Sequence, residues 1–464
     1  MRRRGAAAAI CGLTLACGGR SGLEVSDPFA PLPSGGKAGS TELGGGAGTA
    51  GKGGAGEVTA GAAGTGGAAG NGSAAGNGGA AGNGGCRSAA IESQSVASVD
   101  EDGIEIVGLA ARPNGRVWVA ANLASRAQGQ MTMIERQAEG AVEMWGVPRP
   151  SRLGTTNGER LRAFALGPSL EVYLALSSYA DWGFGLDGAE HGYLASFTAD
   201  LQLSWVDQTY SPDVRSVGLD ADNDVFPFGR FRETGYFVAR YTSTGKQVWS
   251  DALAGTDERS TGVIAVHSSG ALTRARVVDV NGRLSWQIDG MNDSANTEWT
   301  AFSGCPSDRN ETVHVQVDEA DNVYVIGSAA CRLPSELATG AVDWSSLPVA
   351  GLHPGALLIQ KLDSKGTPQW AKQVVLGYSA DALATAIDRE GLLVVEYVRD
   401  PSPQPGRNTV VKLDPSGREL WQQSPCGYVT HIATDGACQT YVAGFRCDGA
   451  PGMVVQRISD AQAR

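Results

Sequence analysis

The sequence predicts an all-β fold, a seven-bladed β-propeller closed by an N-terminal strand, and three observations carry that expectation. Apolar and polar residues alternate in short runs closed by Asp, Asn or Gly turns, the period-two signature of half-buried strands joined by hairpins. The pattern recurs in units of about 50 residues, each with four strand runs and a Trp opening the last, which is the size and content of a propeller blade. The final unit stops before its Trp-bearing run, while residues 89–99 (AAIESQSVASV) have strand-like composition and no unit of their own.

The units can be read off in order, with strands labelled A to D from the axis outward. The first ends at Trp145, the second at Trp205 and the third at Trp249. A degenerate fourth (GVIAVHSSGALTR, then ARVVDVNGRLSW) is expected to end at Trp286. The fifth, the clearest, ends at Trp370 and the sixth at Trp421; the seventh supplies three runs, closing with MVVQRIS. One such sheet cannot cover both of its faces, so stacked neighbours must supply the core. If 89–99 completes the seventh sheet, the ring closes and leaves no long open edge. One Trp per unit at one position reads as packing between blades with each indole N–H paired.

The alternation of xxxDxxGNVYVxG with xxxKLDxxGxxxW resembles the SBBP family, bacterial repeats named for a seven-bladed β-propeller, over roughly residues 100–460. The third, fifth, sixth and seventh units match well and the fourth poorly. The resemblance implies a fold and a surface or secreted location, and no particular activity.

Ahead of the repeats lie two segments of other character. Residues 1–17 read as an export signal: Arg2, Arg3 and Arg4, an apolar run too short to span a bilayer, then Cys17. Leu13 to Ala16 before that cysteine resemble a bacterial lipobox, with Thr14 where Leu is usual; the alternative is plain cleavage after Ala16. Lipidation of Cys17 would make the membrane a partner, and Gly18 after it favours, by resemblance to sorting patterns, an outer-membrane lipoprotein of the cell envelope facing periplasm or exterior. Residues 18–87 collapse to Gly, Ala, Ser and Asn, with too little to bury to offset chain entropy, and read as a disordered linker. As a random coil its reach is roughly 45 Å. The propeller is then assigned to 88–464.

A net charge of -12 argues against nucleic acid, whose phosphates need a basic footprint. The eight cysteines suit an oxidising compartment. With Cys11 removed and Cys17 acylated, six remain, and strand order in the blade narrows their fifteen pairings. A residue before strand A lies beside one after strand B, which pairs Cys305 with Cys331 and Cys426 with Cys447. Cys86 and Cys438 are left to bridge the closing strand to the seventh blade, each bond being worth about 2 to 4 kcal/mol. No Cys or His spacing suits zinc, no metal or cofactor is expected, and the chain is expected to be a monomer.

Loop lengths separate two rims. A to B turns (113–115, 268–270, 389–391) and C to D turns (364–366, 415–417) are tight. Long insertions fall in B to C connections (177–192, 329–355) and D to A connections (148–159, 287–310), all on one end. Binding residues gather on loops held by a rigid scaffold. That rim's Trp182, Phe184, His191, Trp299, Trp344 and His353 are therefore candidate contacts for a glycan, peptide or protein ligand, or simply pack the insertions down. Asp220, Asp222 and Asp224 resemble the opening of a calcium loop but lack its Gly and distal Glu, so an A to B turn is the competing account. His314 and His431 fall at matching places on strand A and read as buried, hydrogen-bonded side chains. No GxSxG, HExxH or Cys/His arrangement is present. A binding module is the first expectation, with a propeller hydrolase, lyase or quinone-dependent oxidoreductase as alternative, since such sites are assembled from separate blades without local motifs.

Overall fold

The computed structural model describes residues 69–70, 73–74 and 88–99 and, with breaks at connecting segments, 104–462. Every regular element among them is a strand. Three precede the repeats: β1 (Ala69–Gly70), β2 (Ser73–Ala74) and β3 (Ser88–Val99). The first unit holds β4 (Ile104–Ala111), β5 (Val117–Leu123), β6 (Gln130–Arg136) and β7 (Val142–Gly146). The second holds β8 (Arg160–Leu166), β9 (Val172–Ser178), β10 (His191–Phe197) and β11 (Leu203–Thr209). The third holds β12 (Asp213–Leu219), β13 (Val225–Phe231), β14 (Gly235–Tyr241) and β15 (Gln247–Leu253).

In the fourth come β16 (Val263–Val266), β17 (Leu272–Val280), β18 (Arg283–Met291) and β19 (Thr297–Ser303). The fifth has β20 (His314–Val317), β21 (Val323–Ala329), β22 (Leu337–Thr339), β23 (Ala356–Leu362) and β24 (Pro368–Val374). The sixth has β25 (Ala380–Asp388), β26 (Gly391–Val398), β27 (Arg407–Leu413) and β28 (Glu419–Gln423). The last has β29 (Tyr428–Thr434), β30 (Gln439–Phe445) and β31 (Met453–Gln462).

Among the described residues five sheets are four-stranded, one of them ordered β29-β30-β31-β3; two larger sheets carry the same four-stranded unit with additions. All pairings are antiparallel; β3 runs against β31, with Ser88 opposite Gln462 and Val99 opposite Met453. The first strands of successive units lie side by side, β4 against β8, β8 against β12 and onward, and β29 lies against β4. This radial arrangement of sheets is a β-propeller.

Its core lies between sheets rather than within them. Phe164, Leu174 and Tyr193 of the second unit pack with Trp118 and Ala120 of the first, and Ile432 and Val442 of the last unit pack with Val410 and Trp421 of the sixth. Ala433, Tyr441 and Val455 of the last unit pack in turn with Ile104, Val119 and Leu123 of the first. At about 1.5 to 3 kcal/mol for each large apolar side chain fully buried, these contacts between units hold sheets too small to be stable alone.

The C to D turns of the fifth and sixth units share one construction, an Asp-braced turn that ends in a residue at positive φ. In the C to D turn of the fifth unit Asp363 Oδ1 accepts the N–H groups of Lys365 and Thr367, and Gly366 has φ 78°. Asp414 does the same for Ser416 and Arg418, with Gly417 at φ 83°.

The fourth unit uses the same turn in disguise and corrects two expectations. Asn292 takes the Asp place, accepting from the N–H groups of Ser294 and Asn296, and Ala295 takes the Gly place at φ 61°. Strand D of this unit is therefore β19 with Trp299, and Trp286 sits on strand C, fully buried between units. Residues 287–310 are accordingly not one long rim connection, because two strands run through them. The insertion at 329–355 also departs from a rim loop: its β22 pairs with β24 and adds a strand to the outer edge of that sheet, covering an otherwise exposed edge.

Candidate functional site

The rim where strands A begin gains its shape from a repeated bulge. Each of β4, β8, β12, β25 and β29 carries one extra residue near its start relative to the neighbouring B strand, and a bulge of this kind re-aims a side chain. In two consecutive units that extra residue is an arginine, Arg162 on β8 and Arg215 on β12.

Around them the sequence places balancing charge. Arg160 Nε donates to Glu105 Oε2 at 3.0 Å across the boundary of the first and second units. Asn122 Nδ2 donates to the same oxygen at 2.9 Å, and its amide also clamps Leu161, donating to the carbonyl at 3.1 Å and accepting from the N–H at 2.8 Å. Arg162 donates to Ser177 Oγ at 3.0 Å and to Glu190 Oε1 at 3.2 Å. Arg215 reaches Asp213 Oδ2 at 3.3 Å, and its guanidinium lies 5.9 Å from the centre of the Tyr236 ring, a cation–π arrangement. Partial burial raises the pKa of Glu105, but hydrogen bonds from Arg160 and Asn122 and the Arg160 charge outweigh it and hold this carboxyl below its usual range.

On the other side of the first unit, Tyr428 at the start of β29 and Phe445 at the end of β30 stack with centroids 6.3 Å apart. Both remain exposed, at 37% and 40%. The rim from the last unit through the third thus presents a stacked aromatic pair, then three guanidiniums each held by a carboxylate. His191 belongs to the same end: it opens β10, is half-buried, and its Nδ1 lies 3.2 Å from Gln208 Nε2.

No protein-family model matches the sequence, and no curated protein matches it. Solved structures similar in fold include prolyl oligopeptidase B from Galerina marginata, at 8% identity and TM-score 0.46, covering 77% of this chain and 48% of that one. The chain therefore spans about half the length of that protein. A polysaccharide lyase of family PL25, an ulvan lyase, is similar at 9% identity and TM-score 0.44, with 77% and 92% covered. The Dos1 propeller is similar at 11% identity and TM-score 0.42, with 76% and 78% covered.

Of the other residues singled out in the sequence, Trp299 is corrected. It is a strand residue whose Nε1 donates to the Ser364 carbonyl at 3.1 Å in the next unit, so it packs sheets and does not line the rim. Trp182, Phe184, Trp344 and His353 lie outside the described residues, as do Cys17, Cys86, Cys305, Cys438 and Cys447. Cys331 and Cys426 are each disulfide-bonded.

The aspartates at 220, 222 and 224 form a turn. Asp220 Oδ1 accepts from the N–H groups of Asp222 at 3.0 Å and Asp224 at 2.8 Å, and Arg240 Nε donates to Asp224 Oδ2 at 2.8 Å. A fixed guanidinium thus stands where a cation would be needed, and no cluster of three or more His, Cys, Asp or Glu suited to a metal occurs among the described residues. Burial pushes the Asp220 carboxyl up to about 6. His431 is shifted the other way, down to about 4, by burial, and its Nδ1 lies 2.9 Å from Thr430 Oγ1. His314 is buried on β20.

The bulged arginines and the Tyr428–Phe445 stack had no distinct sequence signal. A bulge shifts register by one residue without altering the apolar pattern enough to be seen, and the aromatics sit at ordinary strand ends.

Proposed function

We propose that this chain is a seven-bladed propeller closed by Ser88–Val99, carried on the cell envelope by a lipid on Cys17, and that its inner rim binds an uncharged glycan. The observation that carries the ligand class is the balance of the rim. Glu105, Glu190 and Asp213 each hold one of Arg160, Arg162 and Arg215, so this cluster offers donors and acceptors whose formal charges cancel. Exposed aromatic faces beside such groups suit the apolar face and hydroxyl edge of a sugar.

Binding rather than catalysis is the reading that Glu105 favours. General acids need a raised pKa, and Glu105 is held low. Among described carboxyls with a resolved shift only Asp220 is raised, and it is locked into a tight turn by backbone N–H groups. A glycan array probed with the full chain tests the reading. Binding that falls at least tenfold in Arg162→Ala/Arg215→Ala and in Tyr428→Ala/Phe445→Ala supports it; binding indifferent to both variants, or hydrolysis of the bound glycan, overturns it.

A further inference from the structure

The formal charges of the rim cluster cancel, but its hydrogen-bonding capacity does not. A guanidinium carries five N–H donors and no acceptor. Arg160 directs Nε and Nη2 to Glu105, and Arg162 directs Nε to Ser177 and Nη2 to Glu190. Arg215 directs Nε and Nη2 to a single oxygen, Asp213 Oδ2. Each guanidinium therefore keeps both hydrogens of Nη1 and one of Nη2. The three side chains are 50%, 28% and 32% exposed, so these donors stay within reach of a ligand.

The neighbouring acceptors are largely occupied by these same groups. Glu105 Oε2 takes both Arg160 Nε and Asn122 Nδ2, while Oε1 takes Arg160 Nη2. The Asn122 amide is filled by Glu105 and by the backbone of Leu161. Ser177, wholly buried, accepts from Arg162. Asp213 keeps Oδ1 for a ligand donor. A rim of balanced charge is thus a surface richer in donors than in acceptors.

A sugar hydroxyl brings a donor with every acceptor, and a surface of N–H groups engages its oxygen alone. An amide carbonyl is acceptor only, and the bond a guanidinium makes to it is charge-assisted and correspondingly strong. Among uncharged groups that sugars carry, the acetamido group joins such a carbonyl to one N–H, which Asp213 Oδ1 can accept, and to a methyl suited to an aromatic face. The Tyr428–Phe445 stack lies on one side of β4 and the arginines of β8 and β12 on the other. One ligand that meets both has more than one sugar residue.

We infer that the glycan bound at this rim is an oligomer of acetamido sugars, whose acetamido carbonyls accept from Arg162 and Arg215 while another residue of the same chain stacks on Tyr428 and Phe445. The inference rests on the glycan reading of the rim and assigns the ligand class within it. Arg162 and Arg215 then set specificity as well as affinity.

The test is an array of oligosaccharide pairs identical except for a hydroxyl or an acetamido group on the second carbon, probed with the full chain. Calorimetric titration with one such pair, cellotetraose and tetra-N-acetylchitotetraose, follows. A site built to hydrogen-bond a group rejects the analogue that lacks it, so the acetylated member of each bound pair should bind about tenfold tighter or more. N-acetylglucosamine alone should bind about tenfold weaker than its tetramer. Arg162→Lys/Arg215→Lys keeps both charges and loses the planar donor fork, so the preference should shrink to about threefold or less. Pairs bound equally, bound glycans that all lack acetamido groups, or a preference undiminished in the lysine variant would overturn the assignment and leave the glycan reading standing. An array with no bound glycan removes both.

Discussion

Lys412 Nζ lies 2.8 Å from Asp388 Oδ2, and both side chains are almost completely buried, at 1% and 6% exposure. The pair joins the end of a strand A to strand C of the same unit, and the repeat reproduces it. Asp318 faces Lys361 at 3.7 Å, and Asp220 faces Arg240 at 3.5 Å. Where the sequence loses the acid, it loses the base: the second unit has Gly167 and Ser196 at these places, and the fourth has His267 and Gly290. Removing one partner leaves a buried uncompensated charge, whereas removing both does not. Lys412→Met should cost about 3 to 5 kcal/mol in urea denaturation, and Asp388→Leu/Lys412→Met should recover most of it. Equal losses in the single and double variants would show that the pair is not coupled.

The tryptophans of strand D make a second comparison possible. Trp205, Trp249, Trp299 and Trp370 each donate their indole N–H to a carbonyl in the C to D turn of the next unit, at Ser243, Asp293, Ser364 and Pro415. Trp421 finds no acceptor among the described residues. The reason is topological: the next sheet runs from β31 to β3, and no hairpin turn joins those two strands. Trp370→Phe should therefore lose a hydrogen bond worth about 0.5 to 1.5 kcal/mol that Trp421→Phe does not. Denaturation midpoints of the two variants decide the matter, and identical losses would contradict the assignment.

That contrast also marks what could be read from the sequence. Strand periodicity, unit length and the all-β propeller were legible because every blade repeats the same burial problem. The fourth unit misled because VNGRLSW imitates the C to D turn and its tryptophan, while the true turn hides behind Asn292 and Ala295. Positive φ at Ala295 is tolerated because the side-chain bonds of Asn292 and the flanking ladder fix the turn. Trp299 consequently passed for a loop residue. The insertion strand β22 was equally invisible, three residues whose only instruction is the free edge of β24. Arg162 and Arg215, now central to the candidate site, looked like ordinary polar positions on alternating strands.

Asp220 should give the fold a measurable pH signature. Its unfolded carboxyl titrates near 3.8 and its folded one near 6, raised first by burial and then by Asp224 against the opposing N–H bonds. Between those values the native state holds more protons, so this group's contribution is complete below about 3.8 and is lost as pH rises to about 6. Asp220→Asn keeps an oxygen acceptor for the turn and cannot ionise. Its stability relative to the unaltered chain should increase from pH 4 to pH 6.5, by at most about 3 kcal/mol at 1.4 kcal/mol per unit. A difference that stays flat across that range refutes the shift.

The seam between β3 and β31 gives the last prediction. Nine residue pairs from Ser88↔Gln462 to Val99↔Met453 join segments more than 350 residues apart, and β3 completes a sheet that otherwise ends at β31. Without β3 the outer groups of β31 lose their partners and one face of the neighbouring sheet loses its cover. Pairing segments so far apart in the chain carries an entropic cost that the contacts of β3 must offset. Deleting 88–99 should lower the melting temperature by about 5 °C, on the order of 4 kcal/mol for a domain of this size at roughly 2.1 cal/mol/K per residue. A synthetic peptide of Ser88–Val99 should recover part of the loss by binding the open edge, as strand addition predicts. An unchanged melting temperature would mean that the last sheet is stable with three strands and that the ring does not depend on the seam.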